Sequence, residues 1–177
     1  MTKLYINAED FLLDSFKLAK KIYDSDFLPD KMVGLWRGGS LITLAIDEYF
    51  RFKGVKIRSY PLKVEAYSGT NLNKNVMIFG LNDLKEQIGN IEKLLLTDDI
   101  FDTGSSLEKT FNELKNLAKE IKIATIYYKP EKNKTGLKPN FYLHETNSWV
   151  VFPHELENLN LEEIKIKNFK IYELITT

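Results

Sequence analysis

The sequence predicts an α/β protein: an open, mainly parallel sheet flanked by helices over residues 1–139, with residues 140–177 as a small segment packed on that core in one compact domain. Three observations predict it. Apolar runs of strand length at 32–35, 94–96 and 121–128 are separated by stretches of helical periodicity. Glycine-bearing polar loops, WRGGS and DDIFDTGSS, follow the first two runs. The rhythm stops after Asn140. Strands that alternate with helices imply a parallel sheet covered on both faces, with ligands bound beyond the carboxyl ends of the strands.

Asn7 can cap a first helix, with Asp10 in the place of the capping-box glutamate, and Phe11, Leu12, Phe16, Ala19 and Ile22 mark its apolar stripe. Residues 24–30 end it. Met32-Val33-Gly34-Leu35 then reads as a buried strand and 41–50 as a helix. Residues 55–64 alternate as a strand, in which Pro61 requires an edge or a bulge. The stretch 65–80 begins polar and turn-rich and predicts a mobile loop. Leu94-Leu95-Leu96 is a second buried strand. A helix over 107–119 carries Leu107, Phe111, Leu114 and Ala118 on one side, and a third strand follows over 121–128. In the tail, Phe141, Tyr142 and the run 148–153 predict short strands and loops, whereas LEEIKIKNFKIYELI fits either weak strand alternation or an amphipathic helix.

Composition narrows the function. Twenty-five basic and twenty-five acidic residues cancel, so no broad field attracts nucleic acid or an anionic membrane. The lysines at 129, 132, 134 and 138 read as a solvated loop. With no cysteine there is no disulfide framework or thiolate metal site, which suits a reducing compartment. No apolar run approaches the about 20 residues of a membrane span, and MTKLYINAEDF lacks a basic segment followed by an apolar one, so a cytoplasmic protein is expected. His144 and His154 are too scattered for a zinc site, and no serine sits in a nucleophile elbow.

The chemistry concentrates in LLLTDDIFDTGSS. Thr103, Gly104, Ser105 and Ser106 stand where a helix begins, so backbone N–H groups, the positive end of the helix dipole and three hydroxyls converge, and a glycine allows close approach. A phosphate monoester suits that spot. Asp98, Asp99 and Asp102 precede it and can accept hydrogen bonds from sugar hydroxyls or hold Mg²⁺, a hard cation that prefers carboxylate and phosphate oxygens. Three carboxylates so close together are costly without such compensation. A phosphorylated sugar bearing a metal-bound diphosphate satisfies both halves. Arg37 and Gly38, in the first loop, can clamp a diphosphate through charge-assisted bonds and exposed amides.

LLLTDDIFDTGSSL resembles the signature of the type I phosphoribosyltransferases, which bind 5-phosphoribosyl 1-diphosphate (PRPP). Leu35-Trp36-Arg37-Gly38-Gly39 resembles that family's diphosphate-binding loop, Tyr128-Lys129-Pro130 the lysine that reads a 6-oxopurine, and Trp149-Val150-Val151-Phe152-Pro153 the segment of a hood that covers the base. The spacing is similar to that of the bacterial and archaeal xanthine-guanine or hypoxanthine enzymes. The resemblance implies that Asp98 and Asp99 attend to the ribose hydroxyls and the metal, with Asp99 as metal ligand, and that Asp102 meets the nucleobase edge as the catalytic residue. It further implies base contacts at Lys129, Trp149 and Val150, Mg²⁺ as cofactor, PRPP and a purine base as substrates, and a homo-oligomer, dimer or tetramer. Tyr67-Ser68-Gly69-Thr70 would close over the reacting centre. Departures exist: Ser106 replaces the usual threonine, Trp36 a small residue, and His154-Glu155 a Trp-Asp pair, which leaves Glu155 as a candidate for a second metal.

Two readings compete. A PRPP-sensing regulator of the same fold would bind nucleic acid, against which the neutral charge counts. Asp98-Asp99-Ile100-Phe101-Asp102 also matches the DDxxD pattern of isoprenoid synthases, yet those motifs lie on helices, whereas here the acids follow a strand-like run and precede a glycine turn.

Overall fold

Leu94, Leu95, Leu96 and Thr97 are completely buried at the middle of the computed structural model, on a strand with parallel neighbours on both sides. The structure describes residues 2–67 and 75–177. In chain order the elements are β1 (Lys3–Tyr5), α1 (Ala8–Tyr23), β2 (Lys31–Trp36), α2 (Gly39–Phe52), β3 (Arg58–Tyr67), β4 (Asn75–Phe79), α3 (Leu81–Ile88), β5 (Ile91–Phe101), α4 (Ser105–Leu114), β6 (Ala118–Tyr128), β7 (His144–Glu145), β8 (Trp149–Val151), α5 (Leu161–Lys167) and α6 (Phe169–Thr176). The main sheet has the order β4-β3-β2-β5-β6-β7, and only the β3–β4 pair is antiparallel. No helix among the described residues is long and apolar enough to cross a membrane.

The chain divides into two units, Asp14–Asn147 on one hand and Met1–Leu13 with Ser148–Thr177 on the other. In the larger unit, side chains alternate across the sheet. Val33, Leu35 and Leu96 form one core with Leu84 and Ile88 of α3 and Leu107 and Leu114 of α4. Helix α2 lies on the opposite face, burying Ile42, Ala45, Ile46 and Phe50, and Thr43 Oγ1 there contacts Thr97 Oγ1 at 2.6 Å and donates to the Gly39 carbonyl at 2.7 Å. Helix α1 buries Phe11, Ser15, Leu18, Ala19 and Ile22, positions about three and four apart. Leu12 and Phe16, expected in that stripe, are exposed because they stand one residue, about 100°, off it.

Several boundaries differ from the sequence expectation for tertiary reasons. Helix α4 stops at Leu114 rather than near 119, because Ala118 already pairs with Ile91 in the β5–β6 ladder. The stretch 65–80 is less loop than its polarity implies: 65–67 complete β3, and β4 pairs back on them while half-burying Val76 and Ile78. Of the expected closing segment 67–70, Tyr67 ends β3 and residues 68–70 lie outside the described residues. Pro61 sits opposite Gly34 of β2, and β4 reaches only as far as Lys63, so the proline has a ladder partner on one side alone. Helix α3, flanked by Gly80 and Gly89, has too short an apolar pattern to stand out in the sequence.

In the smaller unit β1 pairs in parallel with β8, Lys3 opposite Trp149 and Tyr5 opposite Val151, and the Phe11 and Phe152 rings meet at 5.3 Å. The tail is helical over 161–167 and 169–176, the second of the two readings of its pattern. Asn160 and Glu163 form a capping box at the start of α5, and the Asn168 side chain caps α6.

Candidate functional site

Gly104 is the pivot between β5 and α4. Its φ of 82° lies in the left-handed region, and a side chain there would collide with the Phe101 ring and Thr135 Oγ1. Lacking a side chain, it cannot cap the helix that follows. The hydroxyls of Thr103 and Ser105 approach within 3.1 Å, Ser106 is half-buried beside them, and the first turn closes through the Glu108 amide to the Gly104 carbonyl at 2.8 Å. Thr103, Gly104, Ser105 and Ser106 thus surround one helix start, where N–H groups and the dipole favour a bound anion. The loop after β6 buttresses this turn: the Lys134 amide donates to the Thr103 carbonyl at 3.0 Å, and Asn133 holds Thr135 by accepting from its amide at 2.9 Å and its hydroxyl at 3.0 Å. That segment was missed in the sequence, where only the turn-forming types of Asn133 and Thr135 signal it.

At the ends of β5 and β6, the Lys129 amide donates to the Phe101 carbonyl at 2.9 Å, which brings Lys129 beside Asp102. Lys129 is 4% exposed, and its ammonium donates to Asp102 Oδ2 at 2.8 Å. Asp102 Oδ1 is shielded from solvent and has no hydrogen-bond partner among the described residues. A buried carboxylate oxygen left in this state is costly unless a ligand donates to it.

The first loop meets the acids directly. A Cβ on Gly38 would lie 2.3–2.6 Å from the Asp99 carboxylate atoms, and one on Gly39 would lie 2.4 Å from the Thr97 carbonyl oxygen. Arg37 is exposed beside them, after a cis Trp36–Arg37 peptide. Asp99 is buried and Asp98 half-buried. Burial pushes the Asp98 carboxyl up to about 7, against the opposing pull of hydrogen bonds from the Asp99 and Gly39 amides. Trp36 is half exposed and lines a separate cavity of about 200 Å³ with Gly34, Thr43 and Pro61.

The larger unit therefore brings together Arg37, Gly38, Asp98 and Asp99 in one cluster, and Asp102, Lys129 and the turn 103–106 in an adjoining one just beyond the ends of β5 and β6. Trp149 and Val150 belong to the smaller unit, on β8, the first exposed and the second buried. Glu155, also in that unit, accepts from the Phe152 amide at 3.0 Å. Among the described residues no group of three His, Cys, Asp or Glu could hold a metal by itself.

No curated protein matches the chain. Among solved structures it is similar to a purine phosphoribosyltransferase from Pyrococcus horikoshii Ot3, at 28% identity and a TM-score of 0.72, with 90% of this chain and 99% of that one covered. It shares its fold with a Helicobacter pylori xanthine-guanine-hypoxanthine phosphoribosyltransferase, at 23% identity, TM-score 0.71 and coverage of 96% and 99%. The same holds for a hypothetical protein from Neisseria gonorrhoeae with bound ppGpp, at 17% identity, TM-score 0.77 and coverage of 96% and 97%. The family model described as the phosphoribosyl transferase domain matches residues 5–159, most of the chain and all of the site clusters above, and the chain belongs to that family.

Proposed function

We propose that the chain transfers the 5-phosphoribosyl group of PRPP to N9 of a 6-oxopurine, hypoxanthine, guanine or xanthine, and releases diphosphate, as a cytoplasmic purine-salvage enzyme. One observation carries the reading: Lys129 and Asp102 stand side by side beyond β5 and β6, one with an ammonium and the other with an oxygen that has no partner among the described residues, next to the helix start at Gly104. An ammonium suits the carbonyl oxygen at purine position 6 and discriminates against an amino group. The free Asp102 oxygen suits an N7–H at the neighbouring ring edge. The purine transferase names of the Pyrococcus and Helicobacter proteins support the same base class.

In this mechanism Thr103, Gly104, Ser105 and Ser106 hold the 5-phosphate, and Asp98 and Asp99 accept from the ribose hydroxyls. The N9 lone pair attacks the anomeric carbon as its bond to the diphosphate oxygen breaks, and the electron pair leaves with the diphosphate. Asp102 Oδ1 takes or shares the N7 proton, which raises electron density on the ring as N9 attacks. Arg37 and the Gly38 amide hold the departing diphosphate. Mg²⁺, when bound with the donor, neutralises charge on the leaving group. Asp99 would be its protein ligand, and one carboxylate joined by substrate phosphate oxygens is the usual mode for this cation. The adjacent carboxylates of Asp98 and Asp99, hard oxygen donors at the end of β5, fit that mode.

Trp149 and Val150 remain proposed base contacts, tested by Trp149→Ala, and the homo-oligomer is tested by light scattering. The deciding experiment supplies purified protein, PRPP and Mg²⁺ with hypoxanthine, guanine, xanthine and adenine in turn and measures diphosphate release. Release with a 6-oxopurine and little with adenine is the expected result. Tight PRPP binding with no release for any base would replace this reading by a PRPP-binding regulator.

A further inference from the structure

We infer that Asp98 is a positioning residue for the diphosphate loop: its carboxylate ties the Gly39 amide at the start of α2 to the turn at the end of β5, so that the loop and the acids form one rigid piece. The inference rests on the proposed role of Arg37 and Gly38 in holding diphosphate.

Helix α2 begins with Gly38 at its N-cap, which offers no side chain to the first amides. Such amides need an acceptor. Asp98 supplies one from a distant strand, accepting from Gly39 as well as from Asp99, the latter at 3.0 Å. The two segments are also in close contact. Gly39 rests on the Thr97 carbonyl and Gly38 on the Asp99 carboxylate, closely enough that any Cβ would overlap them. Three consecutive residues of β5 therefore interlock with two consecutive glycines, and the Asp98 hydrogen bond closes the joint. A carboxylate has about four acceptor sites, so two amides still leave capacity for a ribose hydroxyl. The role is additional to substrate contact.

A residue that touches only ribose has no effect on diphosphate alone, whereas one that sets the loop does. The test compares Asp98→Ala and Asp98→Asn with the unaltered full chain. Amide hydrogen exchange at Gly39 is followed by NMR without ligand, and affinity for inorganic diphosphate with Mg²⁺ is measured by calorimetry. In Asp98→Ala, Gly39 should exchange at least about tenfold faster and diphosphate bind about tenfold more weakly. Asp98→Asn keeps an acceptor oxygen and should recover most of both effects. Unchanged exchange and unchanged diphosphate affinity in Asp98→Ala overturn the inference. Should that variant not fold, Asp98→Val, which has no acceptor atom and suits a strand, takes its place with the same two outcomes. If the unaltered chain does not bind diphosphate, the functional reading of the loop falls, and the Gly39 exchange rates alone decide whether Asp98 positions it.

Discussion

The Lys129 ammonium lies 2.8 Å from Asp102 Oδ2, and Asp102 Oδ1, on the same carboxylate, has no partner among the described residues. The pair is thus anchored on one side and open on the other. Asp102→Asn preserves the shape of the side chain and removes its capacity to take a proton. It should lower kcat by about 100-fold, the scale of a lost general base, while PRPP affinity stays within about threefold. Steady-state rates and PRPP calorimetry check both halves, and an unchanged kcat removes Asp102 from the mechanism.

Gly104→Ala tests the helix start. The new Cβ would lie 2.5 and 2.7 Å from atoms of the Phe101 ring and 2.8 Å from Thr135 Oγ1, at a φ of 82°. Left-handed strain and overpacking together should cost about 2–4 kcal/mol, seen as a lower urea midpoint, and the displaced turn should raise KM for PRPP. Phe101→Leu in the same chain makes room and should recover part of the loss, because the two positions are in contact.

What was legible in the sequence is local. Leu94-Leu95-Leu96 and the i, i+3, i+4 pattern of Ile42, Ala45 and Ile46 carry their own period, and Thr103-Gly104-Ser105 announces a turn through residue chemistry alone. Features decided by partners far along the chain were not legible. Ala118 looks helical next to Leu114, yet a ladder bond opposite Ile91 makes it strand. A lysine at a strand end is ordinarily exposed. Lys129 is buried because the β5–β6 register sets it against Asp102, a pairing that no local pattern encodes. For the same reason the Gly39 amide, bound to Asp98, could be quoted in a motif without its partner being visible.

The pH dependence of stability should show a contribution from Asp14 on α1. Burial alone would raise its carboxyl, but hydrogen bonds from Lys17 at 2.8 Å and His144 of β7 at 2.7 Å outweigh that and hold it below its ordinary value of 3.8. A depressed carboxylate stabilises the fold above its unfolded pKa and loses that contribution as pH falls through the lower folded value. The chain should therefore lose stability below about pH 4 more steeply than Asp14→Asn does, with the two curves converging at the acid end. Urea midpoints from about pH 3 to about pH 6 make the comparison, and parallel curves would remove Asp14 from the acid limb.

Lys129→Met separates base reading from simple support. Methionine fills the space of the lysine stem without a donor, so packing is largely retained while the ammonium beside Asp102 disappears. Breaking a fully buried pair costs about 3–5 kcal/mol. Here the Asp102 side chain is 40% exposed and regains water, so about 1–2 kcal/mol is expected. The larger effect should fall on specificity. A site built to donate to a 6-oxo group loses its discrimination when the donor goes, and the ratio of kcat/KM for hypoxanthine over adenine should drop by about 100-fold. An equal loss with every base would mean that Lys129 acts through Asp102 alone, orienting the carboxylate without touching position 6.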